Sequence, residues 1–122
     1  MKKKILIVDD EEDIRSVVKT VLGNKGYEIT TAKNGEDALA NLKKTKFDLV
    51  LIDFFMPKMS GIDLVKAIRK EPDMKDTKLA FLTVALFSSS GVEKLKKLDI
   101  LDYICKPFDN EDLIKRVKKM VE

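Results

Sequence analysis

The sequence predicts an α/β fold: a five-stranded parallel sheet with helices on both faces. Three observations predict it. Strand-like and helix-like stretches alternate five times along 122 residues, and such alternation favours parallel strands joined by right-handed crossovers. Leu49-Val50-Leu51-Ile52 is an unbroken apolar run, as expected of a strand buried on both faces. Acidic, hydroxyl-bearing and basic residues fall where successive apolar runs end, and in open α/β sheets that edge binds ligands.

The elements follow in order. Ile5-Leu6-Ile7-Val8 is a β-branched-rich first strand that stops at Asp9-Asp10-Glu11-Glu12. Ile14, Val17, Val18, Val21 and Leu22 then recur at helical spacing, with acidic residues in the first turn where the helix dipole favours them. Gly23 and Gly26 are stop signals. Tyr27–Thr31 is a second, more polar strand, suited to a sheet edge. Asn34 is placed to cap a second helix with Ala38, Leu39 and Leu42 on its inner face. The third strand ends at Asp53, and Pro57 and Gly61 punctuate the loop beyond it. A third helix from about Gly61 to Lys70 turns Ile62, Val65 and Ile68 inward, with Pro72 past its end. Leu79–Leu82 is the fourth strand, ending at Thr83. Ser88-Ser89-Ser90-Gly91 opens a fourth helix continuing through Val92, Leu95 and Leu98. Ile100–Cys105 contains the fifth strand, and Lys106-Pro107-Phe108 follows. Asp109 caps a last helix with Leu113, Ile114, Val117 and Val121 as its stripe.

Composition narrows the function classes. Residues 1–122 are read as one domain, with no linker, repeat or low-complexity tract and no output domain after Glu122. Basic residues outnumber acidic ones by 24 to 21, too small a bias to argue direct nucleic-acid binding. The absence of histidine removes imidazole acid–base work and most zinc sites. The single cysteine, Cys105, excludes an internal disulfide and is expected to be a small core residue. The apolar run after Met1-Lys2-Lys3-Lys4 is too short for a signal peptide, and no run is long enough to span a bilayer. A cytoplasmic address is therefore expected.

The strand ends carry the chemistry. Asp9 and Asp10 follow strand one, Asp53 closes strand three, Thr83 closes strand four, and Lys106 follows strand five. In a parallel sheet these ends share one rim. Clustered carboxylates repel one another and burial raises their pKa values; a hard cation such as Mg²⁺ relieves the conflict. A lysine ammonium and a threonine hydroxyl hold phosphoryl oxygens, and a carboxylate serves as nucleophile to give an acyl phosphate. Each residue taken alone has a plainer role: a charged helix start, a strand threonine, a loop lysine. Their joint occurrence at four strand ends argues for a site.

The sequence resembles the receiver domain of two-component response regulators over essentially its whole length. The resemblance rests on Ile5-Leu6-Ile7-Val8-Asp9-Asp10, Asp53-Phe54-Phe55-Met56-Pro57-Lys58-Met59-Ser60-Gly61, Thr83, and Asp102-Tyr103-Ile104-Cys105-Lys106-Pro107-Phe108. It implies a flavodoxin-like (βα)5 sandwich with strand order 2-1-3-4-5. It implies Asp53 as phosphoacceptor, taking a phosphoryl group from a phosphohistidine of a sensor histidine kinase or phosphotransfer protein. Asp10, Asp53 and the backbone carbonyl of Phe55 are implied as Mg²⁺ ligands, with Asp9 acting through a metal-bound water. Lys106 and Thr83 are implied to bind phosphoryl oxygens, and Tyr103 to be the aromatic switch that follows Thr83. The surface of helix four, strand five and the last helix would then signal to an effector protein or output domain, or to a second copy on phosphorylation. Such a chain is a signalling phosphoprotein rather than an enzyme, catalysing only its own phosphotransfer and slow autodephosphorylation. It is either a stand-alone receiver or one taken from a larger regulator.

Three positions depart from the family pattern. Val84 follows Thr83 where a small residue is usual, and Phe55 is bulky; both are expected to shield the aspartyl phosphate from water. Asp99-Ile100 replaces a Gly-Ala pair; Asp tolerates a left-handed cap better than most residues but less well than Gly, and helix four is expected to be short or mobile. Ile100 and Leu101 are either core residues or an exposed contact surface. Two other functions fit the architecture. A flavodoxin-like electron carrier needs a phosphate cradle after strand one, which Asp9-Asp10-Glu11-Glu12 would repel. A phosphorylation-independent interaction module would keep the fold without the chemistry.

Overall fold

The computed structural model of the protein describes residues 2–84 and 97–122. Within them, five strands form one parallel sheet: β1 (Lys4–Val8), β2 (Glu28–Ala32), β3 (Leu49–Asp53), β4 (Leu79–Thr83) and β5 (Ile100–Cys105). The order across the sheet is β2-β1-β3-β4-β5, and every neighbouring pair is parallel. Four helices accompany them: α1 (Glu12–Gly23), α2 (Gly35–Lys44), α3 (Gly61–Lys70) and α4 (Asn110–Val121). The helix expected from Ser88 to Leu98 falls mainly outside the described residues.

The apolar runs become the interior strands because both faces of the sheet are covered. On one face Leu6, Val8, Val50, Ile52, Leu79 and Phe81 pack with Ala38, Leu42, Leu64, Val65 and Ile68 of α2 and α3. On the other, Ile5, Ile7, Leu49, Leu51, Ala80, Leu82 and Ile104 pack with Val18 and Leu22 of α1 and Leu113, Val117, Met120 and Val121 of α4. Each fully buried Leu, Ile or Val side chain contributes about 1.5–3 kcal/mol relative to exposure.

Helix starts follow local chemistry. The side chains of Asn34, Ser60 and Asp109 accept hydrogen bonds from the backbone N–H groups of Asp37, Asp63 and Asp112, each cap being worth about 1 kcal/mol. The stripes differ from expectation in detail. Val17 is 42% exposed, because it lies off the face of α1 on which Val18 and Leu22 are buried and Ile14 and Val21 pack against the core. Leu64 joins Val65 and Ile68 as a buried residue of α3, while Ile62 only packs at the margin. Cys105 is exposed and not a core residue; on β5 it alternates with buried Ile104, and among the described residues no strand lies beyond it.

The edge strand β5 is irregular. Leu79 pairs with Ile100, but Phe81 pairs with Tyr103, so Leu101 and Asp102 together oppose Ala80. This is a β-bulge. Leu101 is 51% exposed, whereas Ile100 packs against the core. Asp102 accepts the Tyr103 N–H at 2.8 Å and two contacts from Arg116 Nη1 at 2.7 and 2.8 Å, which hold the bulge to α4. Asp99, just before β5, has φ +57°, a left-handed conformation that Asp tolerates better than most residues.

Candidate functional site

The carboxyl ends of β1, β3, β4 and β5 converge on one rim. Asp9, one residue past β1, is fixed on several sides. Its N–H donates to the Ala32 carbonyl at 3.1 Å, and its carbonyl accepts Arg15 Nη1 at 2.8 Å. Its Oδ1 accepts the Glu11 N–H at 2.9 Å, and its side chain is fully buried. Asp53 is the last residue of β3 and is 5% exposed. Its Oδ1 accepts the Phe55 N–H at a long 3.4 Å.

The loop after Asp53 folds back tightly. Gly61 N–H donates to the Phe54 carbonyl at 2.9 Å. A Cβ at Gly61 would lie 2.5 Å from the Asp53 carbonyl oxygen and 3.0 Å from the Phe81 ring. Only glycine lets α3 begin this close to the end of β3. Lys106 follows β5, and its N–H extends the ladder to the Thr83 carbonyl at 2.8 Å. Its side chain runs inward, with Nζ 2.7 Å from Asp9 Oδ2, 3.6 Å from Asp53 Oδ1 and 3.9 Å from Glu11 Oε1.

Asp9, Asp10 and Asp53 each bring a carboxylate oxygen within 4.8 Å of the others. Burial and then the Asp9 charge push the Asp53 carboxyl up to about 7, with an Asp10 hydrogen bond adding to the rise. Lys106 and the Phe55 N–H pull in the opposite direction. One ammonium therefore faces several carboxylates. An all-oxygen donor set with surplus negative charge fits a hard divalent cation, which accepts a few carboxylates and keeps water in its remaining positions.

Residues 5–118 match the family model of the response regulator receiver domain. The chain belongs to this family. This receiver is 38% identical over 120 residues to the probable transcriptional regulator ycf27 of Porphyra purpurea, covering 98% of this chain and 48% of that one. It is 34% identical over 117 residues to the transcriptional regulatory protein DltR of Streptococcus agalactiae, covering 94% of this chain and 50% of that one. It thus spans about half the length of these curated relatives. Among solved structures it is similar to the chemotaxis protein CheY4 of Vibrio cholerae, with a TM-score of 0.91, 35% identity, and coverage of 98% and 99% of the two chains. The response regulator TrrA of Thermotoga maritima, solved in complex with Mg²⁺-BeF, gives a TM-score of 0.81 at 40% identity, over 97% and 98% of the chains.

The receiver brings Asp9, Asp10, Asp53 and Lys106 into one cluster. Thr83 lies on the same rim, fully buried, and is tied to Lys106 through the backbone. Tyr103 is a residue of β5. Its ring stacks on Phe81 with centroids 6.0 Å apart, and burial raises its hydroxyl pKa. Phe55 and Val84 are 57% and 66% exposed, and the Phe55 ring lies 4.9 Å from that of Phe54. Sequence reasoning missed two supporting groups. Glu11 was visible only as part of an acidic run, and Arg15 only as a polar residue in a helix; its tie to the Asp9 backbone spans six residues and leaves no periodic signal. Among the described residues no helix is long and apolar enough to cross a membrane.

Proposed function

We propose that Asp53 accepts a phosphoryl group from the phosphohistidine of a sensor histidine kinase or phosphotransfer protein. The observation that carries this reading is a nearly buried carboxylate at a sheet rim, clustered with Asp9 and Asp10 and 3.6 Å from a buried ammonium. An Asp53 oxygen forms the new O–P bond as the N–P bond of the donor breaks. The electron pair of that bond stays on the donor imidazole nitrogen, which takes up a proton. Asp10, Asp53 and the Phe55 carbonyl would hold Mg²⁺, with Asp9 acting through a water. The bound ion supplies charge neutralisation for the approaching anionic group. Lys106 Nζ and the Thr83 hydroxyl are the groups we assign to the phosphoryl oxygens. The Mg²⁺-BeF complex of the Thermotoga maritima relative supports this assignment by likeness.

Adding charge and acceptor oxygens at the rim shifts Thr83, and Tyr103 follows, altering the surface of β5 and α4. A downstream effector protein or output domain reads that change, in the cytoplasm. In this reading residues 1–122 act as one receiver unit and turn over no outside substrate beyond the phosphodonor. Incubation with acetyl phosphate and Mg²⁺, followed by intact mass measurement, tests it. One phosphate adds to the parent, and none to Asp53→Asn or to the parent in chelator. Equal labelling of parent and variant overturns the assignment. No labelling of the parent, and no Mg²⁺-dependent beryllofluoride binding, would instead favour a phosphorylation-independent interaction module.

A further inference from the structure

β5 enters the sheet with Ile100 opposite Leu79. Regular pairing would go on with Leu101 opposite Ala80 and Asp102 opposite Phe81, each residue facing the other way from the last. The β-bulge changes this. Its extra residue brings Tyr103 opposite Phe81 instead. Tyr103 thereby returns to the face of the sheet that Ile100 occupies, and both pack against the core beneath α2 and α3. Asp102 is left to bond Arg116 of α4, the helix that helps cover the other face.

Phe81 offers the surface that this register needs. Its side chain is fully buried, and the Tyr103 ring stacks on it with centroids 6.0 Å apart and planes inclined by 30°. Phe81 is itself held in place. The Phe54 ring lies against it with centroids 5.3 Å apart, and a Cβ at Gly61 would stand 3.0 Å from its Cε1. The Tyr103 hydroxyl oxygen ends up buried, although the residue belongs to the strand at the end of the sheet order. An aromatic pair of this kind shifts a two-state ratio about two- to tenfold. The seat is made of strand register, one extra residue and a ring from β4, all of them set by the fold.

We infer that Phe81 is the positioning residue for Tyr103: it supplies the seat that holds the ring inward, and the ring occupies that seat in protein free of metal and phosphodonor. The inference deepens the proposed function and rests on it only for the consequence. A phosphoryl group at Asp53 then raises the population of a ring position that the fold already favours, rather than creating it.

Fluorine NMR on protein carrying 3-fluorotyrosine tests it. Tyr27 and Tyr103 are the two tyrosines, and Tyr27→Phe assigns their signals. In chelator the parent Tyr103 signal should barely change between H2O and D2O, the mark of a ring shielded from solvent. Phe81→Leu keeps an apolar side chain but removes the ring. It should move the signal toward the solvent-exposed value, the exposed population rising about two- to tenfold. Leu42→Ala loosens the same core from α2, beside β1 and β2, and should leave the signal in place. A solvent-exposed Tyr103 signal in the chelated parent overturns the inference. So does an unmoved signal in folded Phe81→Leu, or an equal movement in Leu42→Ala. Should Phe81→Leu fold poorly, cross-relaxation between the Phe81 and Tyr103 rings of the chelated parent decides the pairing: its presence supports the seat and its absence overturns it. Mg²⁺ with beryllofluoride should leave the parent signal shielded, and a signal shielded only after that addition overturns the inference. If the parent binds no beryllofluoride the proposed function fails, and the signals in chelator still decide the role of Phe81.

Discussion

Replacing Asp53 with asparagine should stabilise the metal-free protein, and only above a definite pH. In the folded chain burial and the Asp9 charge raise the Asp53 carboxyl from 3.8 to about 7. Below 3.8 folded and unfolded chains both hold the proton, and Asp53 costs nothing relative to asparagine. As pH rises past 3.8 the unfolded chain releases its proton while the folded chain retains it, so stability falls until pH passes about 7. The whole interval corresponds to about 4 kcal/mol at 1.36 kcal/mol per pKa unit. Water reaches this rim beside exposed Asp10, and screening reduces the realised difference to about 1–2 kcal/mol. Asparagine keeps the shape and leaves Lys106 paired with Asp9 at 2.7 Å, so no buried charge is orphaned. Urea unfolding in chelator from pH 4 to pH 8 measures the effect. The two proteins should match at the acid end and diverge steadily, with the variant more stable at pH 8. Mg²⁺ should narrow the gap by binding the parent better than the variant. Parallel curves across this range, or a parent more stable than the variant at pH 8 without metal, would refute the electrostatic account of the rim.

Two further outcomes follow from the same geometry. Gly61→Ala forces a Cβ against the Asp53 carbonyl and the Phe81 ring, and overpacking of this kind costs about 1–3 kcal/mol; chemical denaturation should show the loss, with weaker Mg²⁺ binding beside it. Val84→Ala and Phe55→Asn should each shorten the aspartyl-phosphate lifetime several-fold in phosphate-release assays, because these exposed residues directly follow Thr83 and lie two positions beyond Asp53 at the rim; unchanged lifetimes would reject the shielding role.

Much of the architecture was legible because parallel strands leave a strong mark. Leu49–Ile52 and Leu79–Leu82 are apolar without alternation, which only two-sided burial explains. The caps at Asn34 and Asp109 were readable because capping is local chemistry over three residues. The strand order came from family resemblance, since spacing alone does not order strands. The carboxylate cluster was legible because each member ends a recognisable run. What stayed hidden is long-range or depends on face. Cys105 sits in an apolar stretch, yet the free side of an edge strand exposes it. Val17 is apolar at helical spacing but lies just off the buried stripe. Arg69 gives no sign in sequence that its guanidinium binds the Asp99 carbonyl, 30 residues away, because backbone carbonyls are offered by every residue type.

The bulge at Leu101 and Asp102 also bears on how the protein behaves when crowded with its own kind. Among the described residues β5 is the outer strand on its side of the sheet, and an outer strand is a template on which another chain can extend the sheet. The extra residue interrupts the regular ladder there, and the Asp102–Arg116 ion pair sets polar groups beside that border, a device that discourages such pairing. A chain lacking Asp102 would lose both the bulge and that ion pair, and self-association along this border should rise.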